Sequence, residues 1–539
     1  MVRVGELRCT GRSASPGVAI GTLYVLHAMT EGGRSAGSAA EEESALVTAI
    51  GRATAELTAL MAEVGDESAA EILAFQVAML EDEALTTPAY DEIAGGASAD
   101  RAWRSVMDLQ IADYAGSGDE YFRARASDLA DMRDRVLQHL SGAAFETAPG
   151  GAVIAAEDLT PSRFLSHDWT GGGAIVLAKG SPSSHVAMLA RARRVPMVVG
   201  VDFDPKRLKP GAAAIVDGEA GLIILEPGPE AHAAASRKIA ADLRVEAEAQ
   251  HLLTRPAATA NGIAVTVMIN VASPDELATL DPAICDGIGL VRTELLFHGE
   301  RGLPDEARQL DAYRRILHWA AGRPVIIRTL DAGGDKPIPG LTVDGETNPF
   351  LGLRGLRLSL KRPDVFKVQL RALCRAAVDG TLKVMLPMVT IPAELEAARR
   401  HLDDVVMELA AAGIPHRKPP LGIMVEVPSV GLTPERFDAD FFSIGSNDLT
   451  QYTMAAARDL DSVAGLADAG DPAVLTLIAR VAEHGGKSGI EVSLCGDAAS
   501  DPKLVPLLLR VGLRRLSAAP GSVGRVKAAI AGVDLKKPS

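Results

Sequence analysis

The sequence predicts a multidomain α/β protein that ends in a (β/α)8 TIM-type barrel, and three observations carry this prediction. The chain has 539 residues, which is more than one hydrophobic core normally supports, so two to four domains are expected. Beyond residue 257, eight short β-branched apolar runs alternate with segments long enough to form helices. Between these runs and the N-terminal strands, the apolar spacing changes to the repeat of three and four residues that is typical of helices. The eight runs cover 264–270, 287–291, 325–330, 383–388, 421–426, 441–445, 491–495 and 514–518.

The N-terminal part of the chain predicts a mixed α/β domain made of residues 1–28 and 146–228. Apolar residues alternate around Val18–Leu26, after a turn at Ser15-Pro16-Gly17. Short apolar runs separated by glycines return after Pro149-Gly150. We therefore expect the later strands to complete the sheet that residues 1–28 begin.

Residues 29–145 predict an all-helical insertion into that domain, arranged as two helical hairpins. Leu46, Ala53 and Leu57 lie on one helical stripe, and Leu129 and Val136 belong to a second stripe. Nearly all of the excess negative charge of the chain also lies in this insertion, which has no lysine. This charge is either a solvated surface of the helices or a surface that attracts a protein partner.

A linker helix at 229–256, ended by Pro256, connects these parts to the barrel at 257–539. The net charge of −15 argues against nucleic-acid binding, which requires surplus Lys and Arg. The four cysteines (Cys9, Cys285, Cys374 and Cys495) form no C-x-x-C pair, as is typical of reduced cytoplasmic thiols. No stretch approaches 18 uninterrupted apolar residues. We therefore expect a soluble cytoplasmic protein with no membrane partner.

Polar residues end several of the predicted barrel strands, where the reactive side chains of such barrels gather. Guanidinium groups match carboxylate and phosphate oxygens two at a time. Glu426 and Asp448 supply hard oxygens of the kind that Mg²⁺ prefers. Each of these residues alone is more typical of an ion pair, but together they predict a site for a small anionic phosphate ester with Mg²⁺. The set comprises Arg292, Glu294, Arg328, Asp331, Arg354, Glu426, Asn447, Asp448, Arg458, Cys495 and Asp497.

Cys495 and His185 each have two interpretations. A strand-end cysteine is commonly core filler, but at this barrel mouth it could protonate a carbon of the product. With Ser181 as N-cap and Pro182 at the first helical position, His185 would lie in the first turn of a helix. It is then either a surface or capping residue, or a candidate phosphohistidine, because a helix N-terminus favours phosphate.

No nucleotide-binding loop is expected. Gly485-Gly-Lys-Ser488 superficially matches the end of a P-loop, but Val481 stands where the first glycine should be. The segment also follows a predicted helix and precedes a strand, which is the reverse of the required order.

Several longer motifs resemble those of Enzyme I of the bacterial phosphoenolpyruvate:sugar phosphotransferase system, over essentially the whole chain. The loop before His185 departs from the family pattern, with Ser181-Pro182-Ser183 in place of the usual residues. The matching motifs are Ser15-Pro-Gly-Val-Ala-Ile-Gly21, Leu80-Glu-Asp-Glu83, Asp158-Leu-Thr-Pro-Ser162, Ser183-Ser-His-x₃-Leu-Ala-Arg191, Gly287-Ile-Gly-Leu-Val-Arg-Thr-Glu294, Arg328-Thr-x-Asp-x-Gly-Gly-Asp-Lys336, Asn348-Pro-Phe-Leu-Gly352, Gly422-Ile-Met-Val-Glu426, Phe442-Ser-Ile-Gly-Ser-Asn-Asp-Leu-Thr-Gln-Tyr452 and Leu494-Cys-Gly496.

The resemblance implies that the protein moves the phosphoryl group of phosphoenolpyruvate to its own His185 and then to the phosphocarrier HPr, releasing pyruvate. It also implies a proton donor at Cys495, a docking site for HPr on the helical insertion, and a homodimer formed through the barrel. Phosphoenolpyruvate would be held by Arg292, Arg328, Asn447, Asp448 and Arg458, and Mg²⁺ by Glu426 and Asp448. The alternative is a catalytically weakened regulatory homologue that acts through partner binding. Related dikinases and synthases need an ATP-grasp domain, for which no residues remain.

Overall fold

The chain folds into two compact units, Met1–Asp242 and Leu243–Ser539. The computed structural model describes residues 6–26, 36–63, 67–116, 120–142, 147–182, 184–203, 208–297, 303–334, 336–343, 345–457, 460 and 463–537. Two residues singled out in the sequence, Ser183 and Arg458, lie outside the described residues.

The first unit contains a mixed sheet that confirms the predicted α/β fold. Its strand order is β1-β8-β7-β3-β4-β5-β6-β2. Strand β3 pairs in parallel with β4, although more than 120 residues separate Leu23 from its partner Val153. The sheet begun before the insertion is therefore completed after it. The strands are β1 Leu7–Thr10, β2 Arg12–Ser15, β3 Val18–Val25, β4 Val153–Ala156, β5 Ala174–Leu177, β6 Met197–Val199, β7 Ala213–Asp217 and β8 Leu222–Leu225.

The insertion between β3 and β4 is all-helical, as predicted, and α1 packs against α2 and α4 against α5, as the two expected helix pairs. The prediction of two hairpins is incomplete, because the described residues of the insertion also form a fifth helix, α3, between these pairs. The carboxylate of Asp82 accepts a hydrogen bond from Ala84 N at 2.8 Å, so a new helix begins immediately after the second one ends. Helices α6 and α7 belong to this unit but lie outside the insertion, and α8 continues past the unit boundary at Asp242 into the second unit. The helices are α1 Ala39–Glu63, α2 Glu67–Leu80, α3 Glu83–Ala94, α4 Ala99–Ala115, α5 Glu120–Ser141, α6 Pro161–Leu165, α7 His185–Ala192 and α8 Pro229–Leu252.

Helix α1 is the one described helix that is long and apolar enough, by length and composition, to cross a membrane. Its apolar stripe, which includes Leu46 and Leu57, is buried in a core shared with α5 and the sheet. Glu56 on the same helix forms an ion pair with Arg135 of α5 at 2.8 Å. These contacts are those of a helix in a folded bundle.

The second unit is a closed barrel of eight parallel strands, as the apolar runs predict. Each strand from β10 to β17 pairs in parallel with the next, and β17 pairs with β10 to close the ring. A short strand, β9 Ala257–Ala258, pairs antiparallel with β10. Gly485–Ser488 forms the end of a helix, Pro472–Ser488, rather than a phosphate loop. The barrel strands are β10 Ala264–Val271, β11 Ile288–Val291, β12 Val325–Arg328, β13 Leu382–Leu386, β14 Leu421–Val425, β15 Phe441–Ile444, β16 Glu491–Leu494 and β17 Arg515–Ala518.

Alternation along the barrel strands separates an inner core from an outer core. Phe441 packs with Met424 and Cys495 in the inner cluster, whereas the next residue, Phe442, packs in the outer cluster. Residues at the strand ends with the inner periodicity therefore converge on the barrel mouth. The surrounding helices are α9 Glu306–Ala320, α10 Leu356–Lys361, α11 Pro363–Ala376, α12 Pro392–Ala411, α13 Pro428–Leu432, α14 Ser446–Met454, α15 Pro472–Ser488, α16 Val505–Arg510 and α17 Val523–Gly532.

Candidate active site

Arg354 is the central cation of a charged cluster at the C-terminal end of the barrel. Its side chain is fully buried and donates to two carboxylates. Its Nε and Nη2 atoms lie 3.1 and 3.2 Å from the oxygens of Asp331, while Nη1 and Nη2 lie 3.1 and 3.0 Å from those of Asp448. Burial alone would lower the pKa of Arg354, but Asp331 and Asp448 outweigh it and raise the pKa. Arg354 therefore orients Asp448 and is itself fully occupied by protein groups.

Arg328, at the end of β12, is a second buried cation of this cluster. It pairs with Glu294 through Nη2, and its Nη1 lies 3.2 Å from Asp331 Oδ2. Lys336 Nζ bridges the same acids, at 2.9 Å from Asp331 Oδ2 and 3.5 Å from Glu294 Oε1. Burial would raise the pKa of Asp331, but Arg328, Lys336 and Arg354 together hold it well below its usual range. Lys336 lies in a motif noted in the sequence, yet its residue type alone gave no sign that it bridges these two acids.

Two buried atoms of this cluster have no hydrogen-bond partner among the described residues. They are Arg328 Nε and Glu294 Oε2. Buried polar groups are normally paired, and exceptions concentrate where a ligand or solvent completes the arrangement. The unpaired guanidinium nitrogen is therefore consistent with an anion site at the barrel mouth.

The carboxylate of Glu426, which directly follows β14, accepts its hydrogen bond from a backbone N–H rather than from a cationic side chain. Its Oε1 accepts a hydrogen bond from Met388 N at 2.6 Å. Met388 follows β13 with a φ of 58°, in the left-handed region that non-glycine residues rarely adopt. Burial, followed by repulsion from the carboxylates of Asp331 and Asp448, raises the pKa of Glu426 to about 8.

These features fit a divalent cation beside Glu426 and Asp448. A cation would offset the repulsion that raises the pKa of Glu426. The described residues contain no group of three or more His, Cys, Asp or Glu ligands. Two carboxylates completed by oxygens of a bound phosphate ester are nevertheless the ligand set that Mg²⁺ commonly takes.

Two further predicted residues, Arg292 and Asn447, lie on the more open rim of the site. Asn447 Nδ2 donates to Asp497 Oδ2 at 2.8 Å, and Asp497 N donates to Asn447 Oδ1 at 2.8 Å. Arg292 Nη2 lies 4.0 Å from Asp497 Oδ1, and the Arg292 side chain is 44% exposed. Asp497 therefore links the two rim residues, while the guanidinium of Arg292 remains accessible to a ligand.

Cys495 follows β16 and is buried in the inner cluster beneath this rim. Its Sγ accepts a hydrogen bond from Ser443 Oγ at 3.1 Å and lies 3.7 Å from the carbonyl oxygen of Ile444. Burial raises the pKa of the thiol to about 11, although the Ser443 hydrogen bond and the charge of Arg328 act in the opposite direction. The thiol is thus protonated at neutral pH, as a proton donor requires. The Cys495 side chain therefore belongs to the inner hydrophobic cluster and also lies close enough to Arg328 and Glu426 to be affected by their charges.

His185 lies in the first unit and is the first residue of helix α7. The expectation of Ser181 as N-cap is wrong, because Ser184 is extended and its Oγ accepts from Ala187 N at 3.3 Å. His185 Nδ1 lies 3.2 Å from Asp128 Oδ1, and the imidazole is 13% exposed. Arg191, near the end of the same helix, donates to the carbonyl oxygens of Ala14 and Pro182 at 2.7 and 2.8 Å. The loop before His185 is therefore tied to the sheet.

Asp128 was not predicted from the sequence, although an acidic residue directly beside the apolar stripe of α5 is a signal that could have indicated it. It is completely buried on α5, where its other oxygen, Oδ2, pairs with Arg125 at 3.1 Å. Asp131, one turn later, accepts from Ser162 N at 2.9 Å and from Ser162 Oγ at 2.7 Å. Acidic residues beside the apolar stripe of α5 thus connect the helical insertion to the His185 region.

Three family models match consecutive parts of the chain. They are described as PEP-utilising enzyme, N-terminal (residues 10–125), PEP-utilising enzyme, mobile domain (residues 148–234), and PEP-utilising enzyme, PEP-binding domain (residues 246–535). The His185 region and the barrel cluster therefore fall in two different matched segments.

Curated relatives match over most of the chain. The phosphoenolpyruvate-protein phosphotransferase of Geobacillus stearothermophilus is 36% identical over 535 residues, covering 96% of this chain and 92% of the relative. The protein of the same name from Haloferax volcanii is 38% identical over 483 residues, covering 87% and 83%. Among solved structures, the N-terminal domain of Enzyme 1 - Nitrogen is 25% identical, covers 43% of this chain and 99% of that chain, and has a TM-score of 0.32.

Proposed function

Because the chain belongs to the phosphoenolpyruvate-protein phosphotransferase family, we propose that His185 receives the phosphoryl group of phosphoenolpyruvate and passes it to HPr. The observation that carries this proposal is the convergence of Arg328, Arg354, Glu426 and Asp448 at the mouth of the barrel. The same convergence argues against the regulatory alternative, because a binding module does not need such a cluster.

Phosphoenolpyruvate is proposed to bind with its carboxylate and phosphate among Arg292, Arg328, Asn447 and Asp448. Arg292 supplies an accessible guanidinium, and the unpaired Nε of Arg328 supplies a further donor. The Asn447 amide nitrogen carries two N–H groups, of which one donates to Asp497, so the other can donate to a phosphate oxygen. Arg458 joins this set on the resemblance alone, since it lies outside the described residues.

Glu426 and Asp448 are proposed to hold Mg²⁺. When bound, Mg²⁺ would withdraw negative charge from the phosphate and so favour its transfer. Arg354 keeps the Asp448 carboxylate in a fixed orientation through two hydrogen bonds. Met388 N does the same for one oxygen of Glu426.

We propose that Nε2 of His185 is the atom that accepts the phosphoryl group. Asp128 occupies Nδ1, and a proton on Nδ1 leaves the lone pair of the neutral imidazole on Nε2. Nε2 attacks phosphorus, and the bond between phosphorus and the enol oxygen breaks. The electron pair of that bond leaves with the enolate of pyruvate, and Asp128 stabilises the positive charge that forms on the ring.

Cys495 is proposed to complete the reaction by protonating the enolate. The π electrons of the enolate form a new bond from C3 to the thiol proton, and C2–O becomes a carbonyl. The electrons of the S–H bond remain on sulfur, so a thiolate is left and takes a proton from water before the next turnover.

The remaining parts of the proposal concern partners and location. HPr is proposed to dock on the acidic helical insertion, which reaches His185 through Asp128. A second copy of the chain is proposed to pair through the barrel, and the protein is proposed to act in the cytoplasm.

Mass spectrometry of the intact protein tests the proposal. Incubation with phosphoenolpyruvate and Mg²⁺ should add one phosphoryl group that maps to His185, and HPr should then remove it. A His185→Ala variant should remain unmodified. A phosphoryl group on another residue would refute the assignment of His185.

A further inference from the structure

Ser443 is a polar residue in a part of the barrel that apolar side chains normally fill. It lies on β15 with the inner periodicity, two residues after Phe441, and its exposure is 0%. Barrel interiors are usually packed with branched apolar residues, and a buried hydroxyl is costly unless it has a hydrogen-bond partner. The partner of Ser443 is Cys495 Sγ, at 3.1 Å.

The main chain of Cys495 is fixed independently of this contact. Asn270 Nδ2 on β10 donates to the carbonyl oxygen of Cys495 at 3.0 Å. Ser517 Oγ on β17 donates in turn to Asn270 Oδ1 at 2.7 Å, which fixes the orientation of the amide. Because the backbone already has its own anchor, the Ser443 hydroxyl is not needed to hold Cys495 in place.

We propose that Ser443 is a positioning residue for proton transfer, whose hydroxyl holds the charge left on Cys495 Sγ after the thiol proton has moved to the substrate carbon. A hydrogen bond to a charged acceptor is stronger than one to a neutral acceptor. The Ser443 bond therefore tightens as the S–H bond breaks, and it favours the transition state over the resting thiol. This inference rests on the proposed role of Cys495 as the proton donor.

The other residues that act on the thiol are charged and lie at the ends of other strands or directly after them. Arg328 and Arg292 favour the thiolate, whereas burial and Glu426 oppose it. These groups remain unchanged when Ser443 is altered. The effect of the hydroxyl can therefore be isolated by one substitution.

Ser493 provides a matched control for this test. It is the register partner of Ser443 on the neighbouring strand β16 and has an exposure of 1%. Its Oγ has no hydrogen-bond partner among the described residues. Ser443→Ala and Ser493→Ala therefore remove the same atom from the same barrel interior, and only the first removes a contact with sulfur.

The first measurement follows one turnover of the full-length protein with phosphoenolpyruvate and Mg²⁺ by rapid quenching. Phosphohistidine and pyruvate are quantified in the same samples. In Ser443→Ala, pyruvate should form about 10- to 100-fold more slowly while phosphohistidine formation changes little. In Ser493→Ala, both should follow the wild type. Pyruvate that keeps pace with phosphohistidine in Ser443→Ala would overturn the inference.

The second measurement repeats this assay with Ser443→Thr. Threonine retains a hydroxyl but alters the packing, so pyruvate formation should keep pace with phosphohistidine formation, as in the wild type, even if the Tm of the variant falls. A Thr variant that forms pyruvate as slowly as the Ala variant would overturn the inference.

The tests separate this inference from the proposed function. If Cys495→Ser forms pyruvate at the wild-type rate, the assignment of Cys495 as proton donor fails. If Cys495→Ser is slow but Ser443→Ala behaves as Ser493→Ala does, only the role of Ser443 fails.

Discussion

Replacing Arg354 by methionine should destabilise the barrel far more than the loss of a surface arginine. Arg354 is fully buried between the carboxylates of Asp331 and Asp448. Methionine fills part of the space but leaves two buried acids without their shared cation. Breaking a buried pair by removing one partner costs about 3–5 kcal/mol. For a barrel of this size, that corresponds to a fall in Tm on the order of 5–8 °C.

The loss in the free energy of unfolding caused by Arg354→Met should depend on pH in a defined direction. In the wild type, the pKa of Asp331 is held below its usual value near 3.8, so its contribution to stability is present above that value and is lost only as pH falls below it. Glu426 is the group of this cluster that titrates at higher pH, because burial, Asp331 and Asp448 raise its pKa to about 8 while Arg354 acts in the opposite direction. Removing Arg354 should raise the pKa of Glu426 further. A buried acid with a raised pKa loses stability as pH rises toward that pKa, so above pH 8 the variant should continue to lose stability where the wild type no longer does. The difference in the free energy of unfolding should therefore be larger at pH 9.5 than at pH 6.

Urea unfolding of both proteins, followed by circular dichroism at several pH values, measures this difference. Arg362→Met is the control, because Arg362 pairs with Asp364 on the surface, where both side chains are substantially exposed. Such pairs contribute about 0–1 kcal/mol. A loss of stability in Arg354→Met that equals that of the control, or that is the same at pH 6 and pH 9.5, would refute the reasoning.

Three further predictions concern the chemistry. Asp128→Ala removes the hydrogen bond to His185 and should slow phosphohistidine formation about 10- to 100-fold in a quenched-flow assay, with barrel binding of phosphoenolpyruvate unchanged in calorimetry; an unaltered rate would exclude a role for Asp128. Glu426→Gln preserves shape but removes a hard ligand, so Mn²⁺ binding measured by electron paramagnetic resonance should weaken, whereas wild-type affinity would exclude Glu426 as a ligand. Cys495→Ser should reduce pyruvate formation by about 10²–10⁴ in a coupled assay, because a hydroxyl is a weaker acid than a thiol, and unchanged turnover would return Cys495 to a packing role.

The barrel could be predicted from the sequence because its strands are local signals. Each apolar run corresponds to a strand within about two residues, and Arg328 and Glu426 lie at the end of such a strand or directly after it. The C-terminal ends of the strands in a closed parallel barrel all lie at one face. Residues that end different strands are therefore close together in space, although they are far apart in the sequence.

The contacts that orient the site were less accessible from the sequence. Asp128 and His185 are 57 positions apart, on different helices, and periodicity does not show which helical faces meet. The left-handed backbone of Met388 is likewise imposed by tertiary contacts, since nothing in its residue type favours it. Helix count failed for a related reason, because a single capping side chain, Asp82, divided a segment that periodicity alone could not divide.

The pairing of β3 with β4 has a consequence for how this protein can be altered. Two parallel neighbours cannot be joined by a tight turn, and the connection must instead leave one end of the sheet and return at the other. Helices α1 to α5 are that connection. The insertion is therefore not an appendage that evolution could simply delete, since its removal would leave two adjacent strands with no covalent route between them. A shorter version of this domain must keep a crossover of at least about a dozen residues between β3 and β4. A helical bundle that replaces α1 to α5 must connect the end of β3 to the start of β4, which lie at opposite ends of this strand pair.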